Sequence, residues 1–186
     1  VTDALTAFNL KASDSTHFAD VLAQASANAN TNVSKMGQTF QYVAPVAGAM
    51  GYSIEDTALA IGLMANAGIK GEKAGTALRS IFTRLADPPK DAAGAIEKLG
   101  LSITNADGSM RPLNDVMKDL RKSFAGLTQE QKVQIASQLA GQEAMSGLLA
   151  LVNASEEDYN KLAEAIGNAD GASKKMSDTM LDNLSG

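Results

Sequence analysis

Apolar residues recur three and four positions apart along most of this chain, the period of a helix with one buried face. The clearest stretch, Gly48 to Pro89, reads GAMGYSIEDTALAIGLMANAGIKGEKAGTALRSIFTRLADPP. Ser53 is placed to cap a helix, with Glu55 and Asp56 at the positive end of its dipole. Asp56 stands where a capping box carries Glu or Gln. Ala58, Ile61, Met64 and Ala65 then share one face. Gly68 is the expected stop, because a C′ residue with positive φ costs glycine little. A second helix is expected from near Gly71 through Ala74, Leu78, Ile81, Phe82 and Leu85, ended by Pro88 and Pro89. Together they form a helical hairpin.

The same period continues on both sides. Val1 to Leu10 reads as the end of a helix. Ser13 or Asp14 is placed to cap the next, with Phe18, Val21, Leu22 and Ala25 as its buried stripe. After the polar turn Asn28 to Asn32, a helix from Val33 carries Met36, Phe40 and Val43, and Pro45 is expected to kink or end it. An offset of 42 pairs Asp14 with Asp56, Ala23 with Ala65, Ala25 with Ala67 and Phe40 with Phe82. Two readings of that offset are open: a duplicated hairpin, or chance self-alignment of an Ala-rich helical sequence.

Past Pro89 a short helix, Lys90 to Leu99, closes at Gly100. LSITNADGSMRPL then changes texture: Asp107-Gly108 lies between short alternating runs, which predicts a small β-hairpin near 101–112. Asn114 or Asp115 is expected to cap a helix through Val116, Met117, Leu120 and Phe124. Thr128 and Gln131 fit a capping box for a helix bearing Val133, Ile135, Ala136 and Leu139. Ala144 to Val152 is apolar enough to be buried. Ser155 caps a helix with Tyr159, Leu162, Ala163 and Ile166, and a last helix carries Met176, Met180 and Leu184. The fold class expected is mainly α: short helical hairpins over 1–89, then a helix, the small β-hairpin and C-terminal helices over 90–186, either as two units or as one continuous domain.

Composition narrows the chemistry. Hydrophobic residues make up 45% of the 186, but aromatics only 4%, with no Trp, so burial rests on Ala, Leu, Ile, Val and Met. Each buried Ala contributes little area. The formal charge is −5 and no Lys/Arg run stands out, so specific nucleic-acid binding is not expected. Cys is absent, which excludes disulfides and thiolate metal sites. No apolar run reaches the roughly 18 residues of a spanning helix. The chain opens with Val and shows no charged region before an apolar one, so it reads as a piece of a longer protein with no signal peptide in view.

Candidate motifs reduce to structural readings. Asn105 to Gly108 suggests a calcium loop, but positions one and twelve would be Ile103 and Asn114, neither a carboxylate. Gly68 to Thr76 lacks the Gly-Lys-Ser/Thr step of a phosphate loop, because no Lys follows Gly75. His17, the only histidine, has no second His or Cys to build a metal or triad site. Glu156, Glu157 and Asp158 sit in a first helical turn, where acids are expected in any case. No catalytic, cofactor or metal residue is therefore assigned, and no enzyme activity is expected. The candidate helix-packing or interaction residues are Gly68, Gly71, Gly75, Leu78 and Phe82. Gly71 and Gly75 lie one turn apart and can admit a close helix, from this chain or from another copy.

ANAGIKGEKAGTALRSIFTRLADP, preceded by YVAPVAGAMGYSIEDTA, resembles the core region of tape-measure proteins of long-tailed bacteriophages or prophages. The resemblance continues through the helix, Leu99-Gly100 and the Asp-Gly turn, and through AGQEAMSGLLALV, a Tyr-Leu helix and the Gly-Ala-Ser turn. Ala140 departs from it, since the family tends to carry an aromatic there. The resemblance implies a structural component of a phage tail that sets tail length during assembly and takes part in DNA ejection. It implies a place in the virion tail lumen, with host cytoplasm during assembly. Implied partners are the tail tube protein, tail initiator or hub proteins, tail assembly chaperones and further copies of itself. A second reading is a membrane-active helical module aiding DNA passage across the host envelope, based on the Ala/Gly-rich helices around 43–51 and 58–69.

Overall fold

The computed structural model describes residues 2–185, for Ser173 the backbone only. Among them are eleven α-helices: α1 Thr2–Ala7, α2 Ser15–Ala27, α3 Val33–Ala49, α4 Ile54–Asn66, α5 Gly71–Ala86, α6 Lys90–Leu99, α7 Leu113–Ala125, α8 Gln129–Ala140, α9 Met145–Asn153, α10 Glu156–Gly167 and α11 Ala172–Ser185. A single 3-10 turn, Ala12–Asp14, joins α1 to α2.

The helix ends follow local chemistry. The Ser53 hydroxyl accepts from the Asp56 N–H at 3.1 Å, and Ser155 does the same for Asp158 at 3.0 Å. Thr128 and Gln131 form the full reciprocal capping box. Asn32, which the sequence places only in a turn, caps α3 through the Lys35 N–H at 2.8 Å. Gly68 has φ +87°, with the Ile69 N–H on the Met64 carbonyl and the Gly68 N–H on the Ala65 carbonyl, the paired bonds of a Schellman ending. Pro45 does not end its helix, and α3 runs on to Ala49. Proline removes only the bond to the Gln41 carbonyl, and Gln41 is exposed, so water can take its place.

The expected β-hairpin near 101–112 is not present. Among the described residues there is no strand, only one isolated antiparallel bridge between Thr104 and Met110. The Asp-Gly turn itself forms, with the Asn105 N–H on the Ser109 carbonyl at 2.7 Å and the Asp107 carboxylate accepting from the Ser109 N–H and hydroxyl. Its arms are too short to extend. Gly100 ends α6 just before, Ile103 is buried in the core, and Pro112 removes a donor one residue before α7. Two further expectations fail nearby. Helix α7 starts at Leu113, so neither Asn114 nor Asp115 caps it, and Val133 is 48% exposed rather than buried.

Helix α4 is the centre of the packing. Every residue from Thr57 to Ala65 is buried, so it has no polar face. Helices α2, α3, α5, α7, α9 and α10 surround it. One hydrophobic cluster runs from Ala4 to Ala169 and draws on both halves of the chain. The phenylalanines make edge-to-face contacts, Phe18 with Phe40 at 5.2 Å and Phe8 with Phe40 at 6.0 Å between centroids. Where helices cross, glycine sets the distance. A Cβ at Gly62 would lie 2.5 Å from Leu162, and one at Gly147 would lie 2.4 Å from Met64. Helix α11 stands apart: it packs on α2, but Met180, Leu181 and Leu184 are exposed.

Three glycine-to-alanine substitutions separate backbone strain, close approach and propensity. Gly94, on the open side of α6, has nothing within 4 Å of an added Cβ, so Gly94→Ala should stabilise by about 0.5–1 kcal/mol. Gly68 has equal room but a positive φ, so Gly68→Ala should cost about 1–2 kcal/mol. Gly75 is helical, yet its Cβ would stand 2.5 Å from Tyr42 Cβ and 3.1 Å from the Thr39 carbonyl oxygen. Gly75→Ala should therefore cost about 1–3 kcal/mol despite the better helix former. Urea unfolding of the three variants measures this. A stabilised Gly75→Ala would overturn the close approach.

Candidate functional site

The five residues singled out in the sequence lie along one hairpin, and four of them face inward. Gly71 and Gly75 are buried on α5 against α3, the most extensive helix pair in the molecule. Thr39, fully buried on α3, donates its hydroxyl to the Gly71 carbonyl at 2.8 Å. One turn on, Gly75 meets Tyr42 and Thr39. Leu78 and Phe82 continue the same face with no exposure, and Phe82 meets the Tyr52 ring edge-to-face at 5.1 Å. Gly68 sits apart at the exposed tip of the α4–α5 turn. The two glycines thus admit a helix of this same chain, and that seam is filled.

Polar clamps hold the other helix junctions. Arg84, on the last turn of α5, reaches the C-terminal end of α8 and donates to the carbonyls of Leu139 at 3.1 Å and Gln138 at 2.9 Å. Its other contact is Asp91, with both carboxylate oxygens at 3.0 Å. Ser80, one turn before it, donates to the Ala140 carbonyl at 3.0 Å. Three orphan carbonyls of α8 are thereby satisfied from α5, with positive charge at the negative end of the α8 dipole. Arg121 on α7 acts likewise on α9, donating to the carbonyls of Leu151 at 2.8 Å and Ala154 at 2.7 Å. Its guanidinium also lies over the Tyr159 ring, 4.7 Å from the centroid.

Tyr159 carries the network inward. Its hydroxyl donates to the Asn114 side-chain carbonyl, and the Asn114 N–H donates to the Asp56 carboxylate at 3.1 Å. The polar end of Asn114 is therefore committed to α10, and Asp56 joins α4 to the start of α7 instead of closing a capping box. Burial raises the Asp56 carboxyl above the usual aspartate value, and the Asn114 N–H works against that rise. Burial likewise pushes the Tyr159 phenol up to about 12. Sequence reasoning missed this chain of contacts because its partners are 30 to 58 residues apart.

His17, the only histidine, bridges three elements. Its Nε2 lies 2.5 Å from Glu55 on the first turn of α4, and its Nδ1 lies 2.9 Å from Asp170 in the α10–α11 turn. Next to it Asp20, itself 3% exposed, accepts from the Gly171 N–H at 2.9 Å. The two carboxylates sit at opposite ends of one imidazole. Among the described residues no group of three acidic or histidine side chains is arranged to hold a metal ion. No helix among them is long and apolar enough to cross a membrane, and nothing else supports the membrane-active reading.

A packed all-helical domain, closed by glycine seams and charged helix clamps, is the class of protein this is. The chain belongs to the phage-related minor tail protein family, whose sequence model matches residues 1–141. It is 46% identical over 181 residues to the tape measure protein of Pneumococcus phage Dp-1 and 32% identical over 183 residues to a probable tape measure protein of Escherichia phage P2. Each match covers 97% of this chain but only 16% and 22% of those proteins' own lengths. No solved structure matches it.

Two measurements test the clamps. Arg84→Met strips two carbonyls of their charged donor and should cost about 2–3 kcal/mol, whereas Asp91→Asn removes only a half-exposed ion pair and should cost less than about 1 kcal/mol. Equal losses in urea unfolding would show that the ion pair, not the carbonyl capping, carries the effect. Hydrogen bonds to Glu55 first, and to Asp170, raise the His17 pKa above its ordinary 6.5. A raised folded value gives stability that is complete below about pH 6.5 and is lost as pH rises through the folded value. The gap in Tm between the parent and His17→Gln should therefore be widest below about pH 6.5 and shrink as pH rises through the folded value. A gap that does not change with pH would refute the clamp.

Proposed function

We propose that this chain is a folded, non-enzymatic region of a phage tail tape measure protein. The observation that carries this is the 46% identity to such a protein across 97% of the chain. In this reading the whole protein lies in the tail lumen, its length sets the length of the tail, and it leaves with or before the DNA at ejection. Its partners are other tail proteins: the tube subunit, the initiator or hub proteins, assembly chaperones in the host cytoplasm during assembly, and further copies of itself. Copies meet through surfaces other than the α3–α5 seam, because Gly71 and Gly75 are already occupied there.

Within that protein we assign this region to a folded node rather than to the ruler. A straight helix rises about 1.5 Å per residue, so 186 residues would measure roughly 280 Å. Among the described residues the longest helix has 17 residues, about 25 Å, and six helices pack around α4 instead of extending end to end. Deleting residues 1–186 in frame from the full-length protein tests this. The expected outcome is failed assembly, or tails of unchanged length, seen by electron microscopy. Tails shortened by roughly 280 Å would make the region part of the ruler, at one helical rise per residue. Loss of tails whenever any part of the gene is deleted, with no length change from any deletion, would instead defeat the tape-measure reading itself.

A further inference from the structure

A groove of about 720 Å³ opens between α7, α8 and the α9–α10 junction. Lys118, Arg121 and Lys122 line it from α7, and Lys132 lines it from α8. The chain carries 16 basic residues against 21 acidic ones, so four cations in one groove run against its overall balance. Glu156 is the sole acid among the lining residues. Arg84 and Arg111 each pair with an aspartate, at 3.0 and 2.8 Å. Among the described residues, Lys118, Lys122 and Lys132 have no carboxylate within 4.0 Å. Lys118 and Lys122 stand one turn apart, a like-charge spacing that is mildly unfavourable on a helix and places both ammonium groups on one side of it.

The floor of the groove is fixed. Arg121 is held by the Leu151 and Ala154 carbonyls and by the Tyr159 ring, so the positive wall does not depend on flexible side chains alone. Asn153 and Asn160 also line the groove. A side-chain amide both donates and accepts, which matches a peptide backbone, whereas a phosphodiester chain only accepts. Glu156 at the rim repels a continuous row of phosphates but tolerates spaced carboxylates. We infer that this groove binds an acidic polypeptide segment of a partner, its Asp and Glu side chains paired with Lys118, Lys122 and Lys132 and its backbone with Asn153 and Asn160. The inference stands on the groove alone and does not depend on the tape-measure reading.

The test uses the 186-residue chain and a labelled oligoglutamate peptide, with a Gly-Ser peptide and a short DNA duplex as comparisons. At low salt oligoglutamate should bind, and its affinity should fall steeply as salt rises. The triple variant Lys118→Gln/Lys122→Gln/Lys132→Gln should bind about tenfold more weakly, the scale expected from three exposed charge pairs. Lys35→Gln/Lys98→Gln/Lys174→Gln, with the same change in net charge, should bind as the parent does. Oligoglutamate should also raise the Tm of the parent and not that of the first variant. No binding of oligoglutamate, or an equal loss in both triple variants, overturns the inference. Duplex DNA binding more tightly, through the same lysines, would reassign the groove to phosphate and overturn it as well.

Discussion

Helix α4 has no face for water, and the rest of the molecule is arranged to meet that constraint. Every side chain from Thr57 to Ala65 needs cover, yet most are small or of moderate size. Six helices supply the cover, and two of them, α9 and α10, approach α4 at a glycine. Gly62 lets Leu162 of α10 lie against α4, and Gly147 lets Met64 fill the gap to α9. With aromatics at 4% of the chain, dispersion comes from close approach rather than from large side chains. The cost of this solution is tight tolerance, since an added carbon at either crossing must push the end of the Leu162 or Met64 side chain aside.

Short helices packed this way create many ends, and each end leaves carbonyls without intrahelical partners. Two of the ends nearest the core, those of α8 and α9, are closed by arginines from neighbouring helices. A guanidinium serves here because its planar fork reaches two carbonyls at once while its stem packs along the helix it comes from. These clamps tie the C-terminal helices to α5 and α7, and through Asp56 and Asn114 to α4. His17 and Asp20 tie down the turn before α11 through Asp170 and the Gly171 N–H.

The helices and most of their boundaries were legible because their signals are local. Ser53, Gly68, Thr128 with Gln131, and Ser155 each act within five residues, and each does in the fold what its position suggests. The β-hairpin was misread because Asp107-Gly108 does make its turn, while Ile103 is drawn into the core and the flanking helices leave no length for strands. Asn114 was misread as a cap because its true partner, Tyr159, lies 45 residues away. Gly75 was legible as a close-packing residue, but which helix it admits depended on Tyr42 and Thr39, a hairpin earlier. The basic groove was not read from sequence, since Lys118 stands apart from Arg121 and Lys122 on α7, with an acid and an apolar residue between them, and Lys132 joins them only across the α7–α8 turn.

The scarcity of aromatics has an optical consequence. With no Trp and three Tyr, the near-ultraviolet signal of the chain comes almost wholly from phenol rings, and each of these rings marks a different junction. Tyr42 lies against Gly75 between α3 and α5, Tyr52 in the α3–α4 turn rests on Phe82 of α5, and Tyr159 lies under Arg121 between α7 and α10. Among the described residues the buried Tyr52 hydroxyl has no hydrogen-bond partner, and burial pushes its pKa to about 12. The protein thus carries three built-in chromophores in distinct surroundings, through which the loosening of each seam can be followed without attaching a dye.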